Sequence, residues 1–358
     1  MGIWRLATTT TLITLAAATM ATAATIAIVA PKTGSYATLG GQVFAGAIAA
    51  AEDAGHDVLE LDETCEAGAD TGFVDKMIDN DVIAAVGFLC TETLSDLLPQ
   101  LSNAGIPALT VAVRSKILME DALRYGWPLF RMTLAEGDEA TTIGKVALDR
   151  WKGEAIAIID DGTIYGRELA GAVRRQLEAS GLSPVFVDTY RPGQEQQIAL
   201  VRRLKKAGAT HVVVGGDRID IAVIARDAAN ESIPLTLLGG DTMRAADQPV
   251  ALRDGVMAVA KPDHAALSPT PDVVHSLRAR GIEPEGYVLP AYAAIEVVVQ
   301  ASRQEDHRSG LAQQLKEKSF QTVIGKVTFD DGGELSSVPL RLQVWQGGHF
   351  VAVDTMTE

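Results

Sequence analysis

The sequence predicts an α/β protein made of two lobes, each a doubly wound parallel β-sheet covered by helices on both faces. Three observations indicate this class. The chain of 358 residues is too long for one typical hydrophobic core. Short apolar runs alternate with amphipathic helical patterns along most of its length. Hydrophobic residues make up 47% of the composition but aromatic residues only 5%, which suits buried parallel strands.

The elements predicted for the first lobe alternate in order. They are a strand at residues 26–30, a helix at 40–54, a strand at 58–61 and a helix at 67–80. The turn at residues 34–41 resembles a phosphate loop only by its glycines. It lacks the lysine and the glycine spacing of such a loop, so we interpret it as a strand-to-helix turn whose backbone can approach a ligand.

The stretch at residues 83–113 predicts one β-α-β unit, with a strand, an amphipathic helix and a second strand after Gly105-Ile106-Pro107. Parallel strands joined by a right-handed crossover end at the same sheet edge, so Cys90-Thr91 and residues 112–114 border one crevice. We expect a ligand there. Thr91 offers a hydroxyl and a backbone N–H at a helix N-terminus, where an anion is favoured. Alternatively, Thr91 only caps the helix.

The same alternation resumes in the second lobe. It predicts strands at residues 155–159, 185–190, 211–214 and 235–238, and helices at 166–180, 194–207 and 220–230. The chain crosses between the lobes at residues 130–134 and 258–262. A helix at 287–302, a strand at 327–329, a turn at 330–333 and a hairpin at 341–353 follow. Two lobes with more than one connection form a hinge around a cleft.

The N-terminus has the pattern of a secretory signal peptide. Arg5 supplies a positive region, residues 6–18 are apolar, and Ala21-Thr22-Ala23 fits a cleavage site. We expect the signal peptide at residues 1–23 and a mature start near Ala24. Cys65 and Cys90 are the only cysteines. An exported chain favours a disulfide between them, closing a loop of about 25 residues and contributing about 3 kcal/mol, with two buried free thiols as the alternative.

Composition and missing motifs exclude several functions. The net charge of −15 argues against nucleic acid and against adhesion to anionic membranes. The six histidines are scattered, and the sequence has neither a zinc-protease motif nor a nucleophile elbow. We therefore predict no catalytic residues, no metal and no cofactor. A secreted hydrolase would need a nucleophile and a base that the sequence does not display.

Several segments together resemble the leucine/isoleucine/valine-binding proteins, the periplasmic solute-binding components of branched-chain amino acid ABC transporters. In chain order they are TGSYATLGGQVFAGAIAAAEDA, TC followed by GFLCTETLSD and AGIP, IIDDGTIYGRELA, LVRRLKKAGATHVVVGGD, PLTLLGGD, YVLPAYAAIEVVVQA and FQTVIGKVTFDDGGEL. The resemblance implies a type I periplasmic binding protein with a three-stranded hinge, and it supports the disulfide. It divides the chain into a first lobe at 24–131 and 262–329 and a second lobe at 132–261 and 330–358.

The function that the resemblance implies is capture of an amino acid, branched-chain or more polar, between the lobes in the periplasm. The ligand is then delivered to the permease subunits of an ABC importer. We expect a monomer without enzymatic activity. The alternative is a receptor of the same fold for an amide, a urea or a carboxylate, including an aromatic acid.

The resemblance also assigns candidate ligand-binding residues. Thr91 and the backbone around Thr110 and Ala112 match positions that hold the ligand's α-carboxylate. Tyr165 matches a tyrosine before glycine on the second lobe, and Asp241 matches the acidic group that receives the ammonium. Asp241 sits at a strand's C-terminal end, where a cleft residue is expected, although it could instead cap the next turn.

Three positions depart from the family's pattern. Arg114 replaces a threonine near the carboxylate, Asp217 replaces a tyrosine after two glycines, and Leu39 replaces an aromatic residue. An arginine could bind a carboxylate bidentately, or it could form a salt bridge with Asp217 or Glu136 across the cleft. These charges make a more polar amino acid than leucine plausible, whereas surface positions for Arg114 and Asp217 are the alternative.

Overall fold

The computed structural model describes residues 24–66, 68, 72–245, 250–302, 308–337 and 339–353. The predicted signal peptide lies outside these residues. The strands are β1 (Thr25–Ala30), β2 (Asp57–Asp62), β3 (Val82–Gly87), β4 (Ala108–Thr110), β5 (Leu129–Arg131), β6 (Ile156–Asp160), β7 (Phe186–Thr189), β8 (His211–Gly215), β9 (Thr236–Gly239), β10 (Met257–Ala260), β11 (Ser319–Thr322), β12 (Gly325–Thr328), β13 (Arg341–Gln346) and β14 (His349–Ala352). The helices are α1 (Ala37–Ala54), α2 (Phe73–Asp79), α3 (Thr91–Ala104), α4 (Lys116–Tyr125), α5 (Asp138–Arg150), α6 (Ile164–Ala179), α7 (Ile198–Lys206), α8 (Arg218–Asn230), α9 (His264–Leu267), α10 (Pro271–Ala279), α11 (Val288–Ser302) and α12 (Arg308–Glu317).

The first lobe is built on a five-stranded parallel sheet with the order β2-β1-β3-β4-β5. Buried side chains of α1, α10 and α11 cover one face, and those of α2, α3 and α4 cover the other. Helices α1 and α11 pack so closely that a Cβ on Gly46 would overlap the carbonyl of Val288. Since α11 follows the second lobe in the chain, the first lobe is assembled from two separate segments.

The second lobe is built on a seven-stranded sheet with the order β14-β13-β10-β9-β8-β6-β7. The five strands from β10 to β7 are parallel. The hairpin β13–β14 adds antiparallel to β10 at the other edge. Helices α5 and α6 bury one face and α7 and α8 the other. The predicted doubly wound architecture is therefore confirmed in both lobes, with an antiparallel edge in the second.

The predicted β-α-β unit is confirmed, because β3 and β4 are parallel neighbours joined by α3. Other predictions were wrong in detail. Helix α4 was missed. The segment predicted to cross between the lobes at residues 130–134 begins with β5, the fifth strand of the first sheet. The helix predicted at residues 194–207 begins only at Ile198.

The chain passes between the two sheets at three places, after β5, after β10 and between β12 and β13. The three-stranded hinge is thus confirmed, whereas the exact lobe boundaries at residues 131, 261 and 329 remain a prediction. Within the described residues, no helix combines the length and the apolar character needed to cross a membrane.

Candidate ligand-binding cleft

The turn before α3 is fixed by two groups from the preceding loop. Cys65 and Cys90 form a disulfide with Cα atoms 5.1 Å apart, as predicted. The buried carboxylate of Glu63 accepts the N–H of Leu89 at 2.8 Å and of Cys90 at 3.2 Å. Burial raises the pKa of Glu63 to about 7 although these two donors lower it. Thr91 is consequently held rigidly at the first turn of α3, half-buried at the sheet edge.

Thr110 is fully buried at the end of β4, and its hydroxyl has protein partners. It donates to the carbonyl of Phe88 at 2.9 Å and accepts the N–H groups of Ala112 at 3.2 Å and Val113 at 2.9 Å. The polar groups of Thr110 and Ala112 therefore already serve to shape the loop that leads to Arg114. Ligand contacts at Thr110 and Ala112 stay a prediction.

Arg114 reaches across the cleft to a residue that the sequence did not single out. Its Nη2 lies 3.9 Å from Oε2 of Glu139, in the first turn of α5 in the second lobe. The side chain of Arg114 is 40% exposed and that of Glu139 is 4% exposed. The partner is thus Glu139 and neither of the suggested carboxylates, although the N–H of Glu136 donates to the Arg114 carbonyl at 3.0 Å.

One carboxylate oxygen of Glu139 accepts hydrogen bonds from two residues that were predicted to bind the ligand. Its Oε1 accepts the hydroxyl of Tyr165 at 2.7 Å and the backbone N–H of Asp241 at 2.6 Å. Burial, with the adjacent Glu139 carboxylate, raises the pKa of Tyr165, so the phenol stays a donor. A Cβ on Gly240 would overlap Glu139 Oε1, which explains the glycine before Asp241.

The carboxylate of Asp241 is bound to the second crossing between the lobes. Its Oδ1 accepts the N–H of Lys261 at 2.9 Å, and its Oδ2 lies 3.4 Å from Nζ of the same lysine. It makes no cap to the following turn, whose N-cap is Gly240. The helix-cap alternative is therefore not observed, and Asp241 faces the hinge with a charged partner already in place.

Tyr287, which precedes α11, completes this side of the cleft. Burial raises the pKa of Tyr287, and Arg114 and Asp241 act on it with opposite signs. Both charged side chains are therefore near enough to act on the phenol. Tyr287 and Glu139 were both missed, although the segment beginning at Tyr287 carried part of the resemblance and Glu139 lies in an acidic helical turn.

Asp217 lies apart from the group around Glu139. It is exposed at the N-cap of α8, just after β8, and its side chain does not cap the helix. Its neighbours are other acidic side chains and Tyr190. The sheet edge of the second lobe therefore carries two distinct acidic groups, one beside Arg114 and Lys261 and one without either cation.

Comparison with known proteins finds a family and relatives that match nearly the whole chain. The model of a family described as "Periplasmic binding protein" matches residues 23–349. The Leu/Ile/Val-binding protein homolog 3 of Brucella melitensis is 26% identical over 346 residues, 92% of this chain and 93% of that protein. An amino acid binding protein of Pseudomonas aeruginosa is 28% identical over 328 residues, 87% of each chain.

Solved structures show the same fold at low identity. A leucine binding protein from Thermotoga maritima matches with a TM-score of 0.63 and 18% identity, covering 92% of this chain and 97% of that one. A solute binding protein of an ABC transporter from Rhodopseudomonas palustris, in complex with p-hydroxybenzoic acid, matches with a TM-score of 0.62 and 15% identity, covering 92% and 95%.

The chain belongs to the periplasmic binding protein family. The resemblance to the leucine/isoleucine/valine-binding proteins is confirmed by relatives that match nearly the whole chain. Membership defines a solute-binding transport protein of type I fold and implies export to the periplasm.

Proposed function

We propose that the protein captures a zwitterionic amino acid between its lobes and delivers it to the permease of an ABC importer. The observation that carries this proposal is the opposition of Arg114 on the first lobe to Glu139 on the second, 3.9 Å apart. A ligand with one negative and one positive group can enter between them and pair with both. Names of relatives support an amino acid as the ligand class.

The carboxylate of the ligand is assigned to Arg114 and to Thr91 at the N-terminus of α3, where a guanidinium, a hydroxyl and the helix dipole favour an anion. The ammonium is assigned to Glu139, with Asp241 beside it. Each ligand charge needs a protein partner, because an enclosed cleft offers little water to replace lost hydration. Tyr165 and Tyr287 then line the space around the Cα of the ligand.

Other parts of the proposal concern the mature chain. Cleavage after Ala23 would leave Ala24, just before β1, with its backbone N 3.1 Å from Nδ1 of His56. The first lobe would comprise residues 24–131 and 262–329 and the second 132–261 and 330–358. Closure about the three crossings encloses the ligand, and the protein acts as a monomer that docks on the permease.

An aromatic carboxylate is a second candidate, favoured by one observation. Arg114 could bind the carboxylate while Tyr165 and Tyr287 enclose a ring, and one structural neighbour is a complex with p-hydroxybenzoic acid. Such a ligand has no ammonium, so it would bring no positive partner to Glu139 and Asp241. The zwitterion therefore accounts for more of the charged groups.

The deciding experiment is a thermal-shift screen of the mature protein against amino acids, amides, ureas and aromatic carboxylates. A ligand that binds only the folded state raises the melting temperature by mass action. We expect amino acids to raise the melting temperature. Calorimetry should then show that one ligand binds per chain and is not converted to a product. If benzoates alone raise the melting temperature, the protein is instead a receptor for aromatic carboxylates.

A further inference from the structure

The second acidic group on the sheet edge of the second lobe lies around the buried phenol of Tyr190. Asp160 and Asp161 end β6 and begin the next turn, and Asp217 and Asp220 begin α8 after β8. Burial raises the pKa of Tyr190, and these four carboxylates raise it further. We refer to the four aspartates and Tyr190 as the acidic patch.

Tyr190 supplies an independent sign that something binds here. The residue is 4% exposed, and its hydroxyl has no hydrogen-bond partner within the described part of the chain. The oxygen lies against Gly216, where an added Cβ would overlap it and would also sit 3.3 Å from the Cβ of Asp161. A buried hydroxyl left unpaired is destabilising, so its position at the carboxyl ends of β6 and β8 calls for a partner.

No ion pair neutralises the acidic patch within the part of the chain that the structure describes. Within the described residues, none of its four carboxylates has a lysine or arginine nitrogen within 4.0 Å, whereas Glu139 faces Arg114 and Asp241 faces Lys261. Burial raises the pKa of Asp220, and Asp217 and Asp161 raise it further. Among all described residues, no group of three aspartate, glutamate, histidine or cysteine side chains is arranged so that it could hold a metal ion. This arrangement suits an extended organic cation better than a metal ion.

The patch adjoins the site proposed for the amino group of the ligand. Asp217 and Asp241 each lie two residues beyond their strands, β8 and β9, which are parallel neighbours. Adjacent strands are about 5 Å apart. The hydroxyl of Thr242 donates to the carbonyl of Gly216 at 2.8 Å and joins the two turns directly. A side chain several bonds long can therefore extend from the first site into the acidic patch.

We propose that the acidic patch is a second subsite that binds a protonated amine or guanidinium at the far end of the ligand, and that the preferred substrates are cationic amino acids. This inference rests on the proposed function. The cation supplies a counter-charge to Asp217 and donates to the oxygen of Tyr190, while the phenol proton remains free to donate to a carboxylate.

The test compares L-lysine and L-arginine with L-norleucine, which has the chain length of lysine without its amine, by calorimetry on the mature protein. The wild type is expected to bind lysine or arginine at least tenfold more tightly than norleucine. Asp217→Asn should remove most of this ratio. Tyr190→Phe should lower the ratio too, whereas a purely structural tyrosine would change stability alone. Asp272→Asn, exposed on α10, is the matched control.

The outcomes separate this inference from the proposed function. Norleucine or leucine binding as tightly as lysine would overturn the subsite and leave an amino acid receptor. Binding of aromatic acids with no amino acid bound would overturn both. Stabilisation by millimolar calcium that disappears in Asp217→Asn, without any preference for lysine, would assign the acidic patch to a metal and also overturn the subsite.

Discussion

Arg131 and Glu334 form a doubly hydrogen-bonded ion pair that ties the first crossing between the lobes to the third. The guanidinium is fully buried. Its Nε donates to Glu334 Oε2 at 2.7 Å, its Nη2 donates to Oε1, and its Nη1 donates to the carbonyl of Ser115 at 3.1 Å. Two crossings are thereby fixed to one another and to the first lobe, so closure has to bend the chain beyond this pair.

Removing the carboxylate of this pair is expected to destabilise the protein. Glu334→Ala leaves a buried arginine without its counter-charge, at a cost of about 3 kcal/mol, the lower end of the usual range because the Glu334 side chain is 29% exposed. Urea unfolding measures the loss. Glu178→Ala, which breaks the exposed Arg174–Glu178 pair, is the control and should cost under about 1 kcal/mol. Equal losses of unfolding free energy in the two variants would show that the Arg131–Glu334 pair does not hold the two crossings together.

Glu139→Gln is expected to weaken amino acid binding by about 10- to 100-fold, as the loss of a charged hydrogen bond predicts. The amide keeps the shape of the side chain and an oxygen for the N–H of Asp241, so the fold should persist. Calorimetry with the amino acid that gives the largest shift in the screen measures the change. Glu168→Gln, exposed on α6, serves as control. Full affinity in Glu139→Gln would show that the ammonium binds elsewhere.

Arg114→Ala is expected to lower the affinity for the same amino acid by a comparable factor, since the ligand carboxylate loses its guanidinium partner. Arg114→Lys should restore only part of the loss, because an ammonium cannot form the bidentate pair. Arg124→Ala on α4 tests for a general charge effect. If Arg114→Ala binds normally, Arg114 is a surface residue and the carboxylate is held without it.

We expect the stability of the protein to depend on pH through Glu296 on α11. Its Oε2 accepts the N–H of Val323 at 2.7 Å, and burial raises its pKa from 4.5 to about 7. The folded chain therefore holds this proton to higher pH than the unfolded chain. The stabilisation is complete below about pH 4.5 and is lost as the pH rises through 7.

The free energy of unfolding of the wild type relative to Glu296→Gln should therefore fall by about 1–3 kcal/mol between pH 4.5 and 8. Denaturant unfolding at a series of pH values provides the measurement. Glu283→Gln, an exposed residue paired with Arg278, should show no such difference from the wild type. A constant difference for Glu296→Gln would mean that the carboxyl titrates normally.

Processing of the N-terminus gives a prediction outside the fold. Expression in a Gram-negative host should yield a periplasmic protein whose mass lacks residues 1–23 and whose first residue is Ala24. Intact-mass spectrometry of the periplasmic fraction decides this. A periplasmic chain that keeps Met1 would be incompatible with cleavage after Ala23.

Most of the fold was predictable because the apolar side chains that a strand or helix buries recur along the sequence at the spacing of that element. Helix α4 was missed for a physical reason. Ile117, Leu123 and Tyr125 are exposed, whereas Leu118 and Met119 are buried. Apolar residues on both faces remove the periodicity that marks an amphipathic helix. The first residues of α2 and α7 were also predicted too early, since the polar residues before these helices carry no clear start signal.

The cleft residues that follow strands were predictable from the sequence, whereas the cleft residue on helix α5 was not. Tyr165 and Asp241 follow strands, where a parallel sheet places ligand-binding side chains, and the structure brings the two together. Glu139 stands in an acidic first turn that would stabilise any helix. Only the packing of α5 beneath Gly240 turns that side chain inward, and such packing depends on contacts between residues far apart in the sequence.

The division of both lobes between distant chain segments determines when each core can close. The first sheet lacks the cover of α11 until residue 302 has been made, and the second lacks its antiparallel edge until β13 and β14 follow. A nascent chain thus cannot bury either core completely while most of it is being synthesised, in contrast to domains that fold in order from the N-terminus. Complete burial of both cores therefore waits for the last strands and helices of the chain.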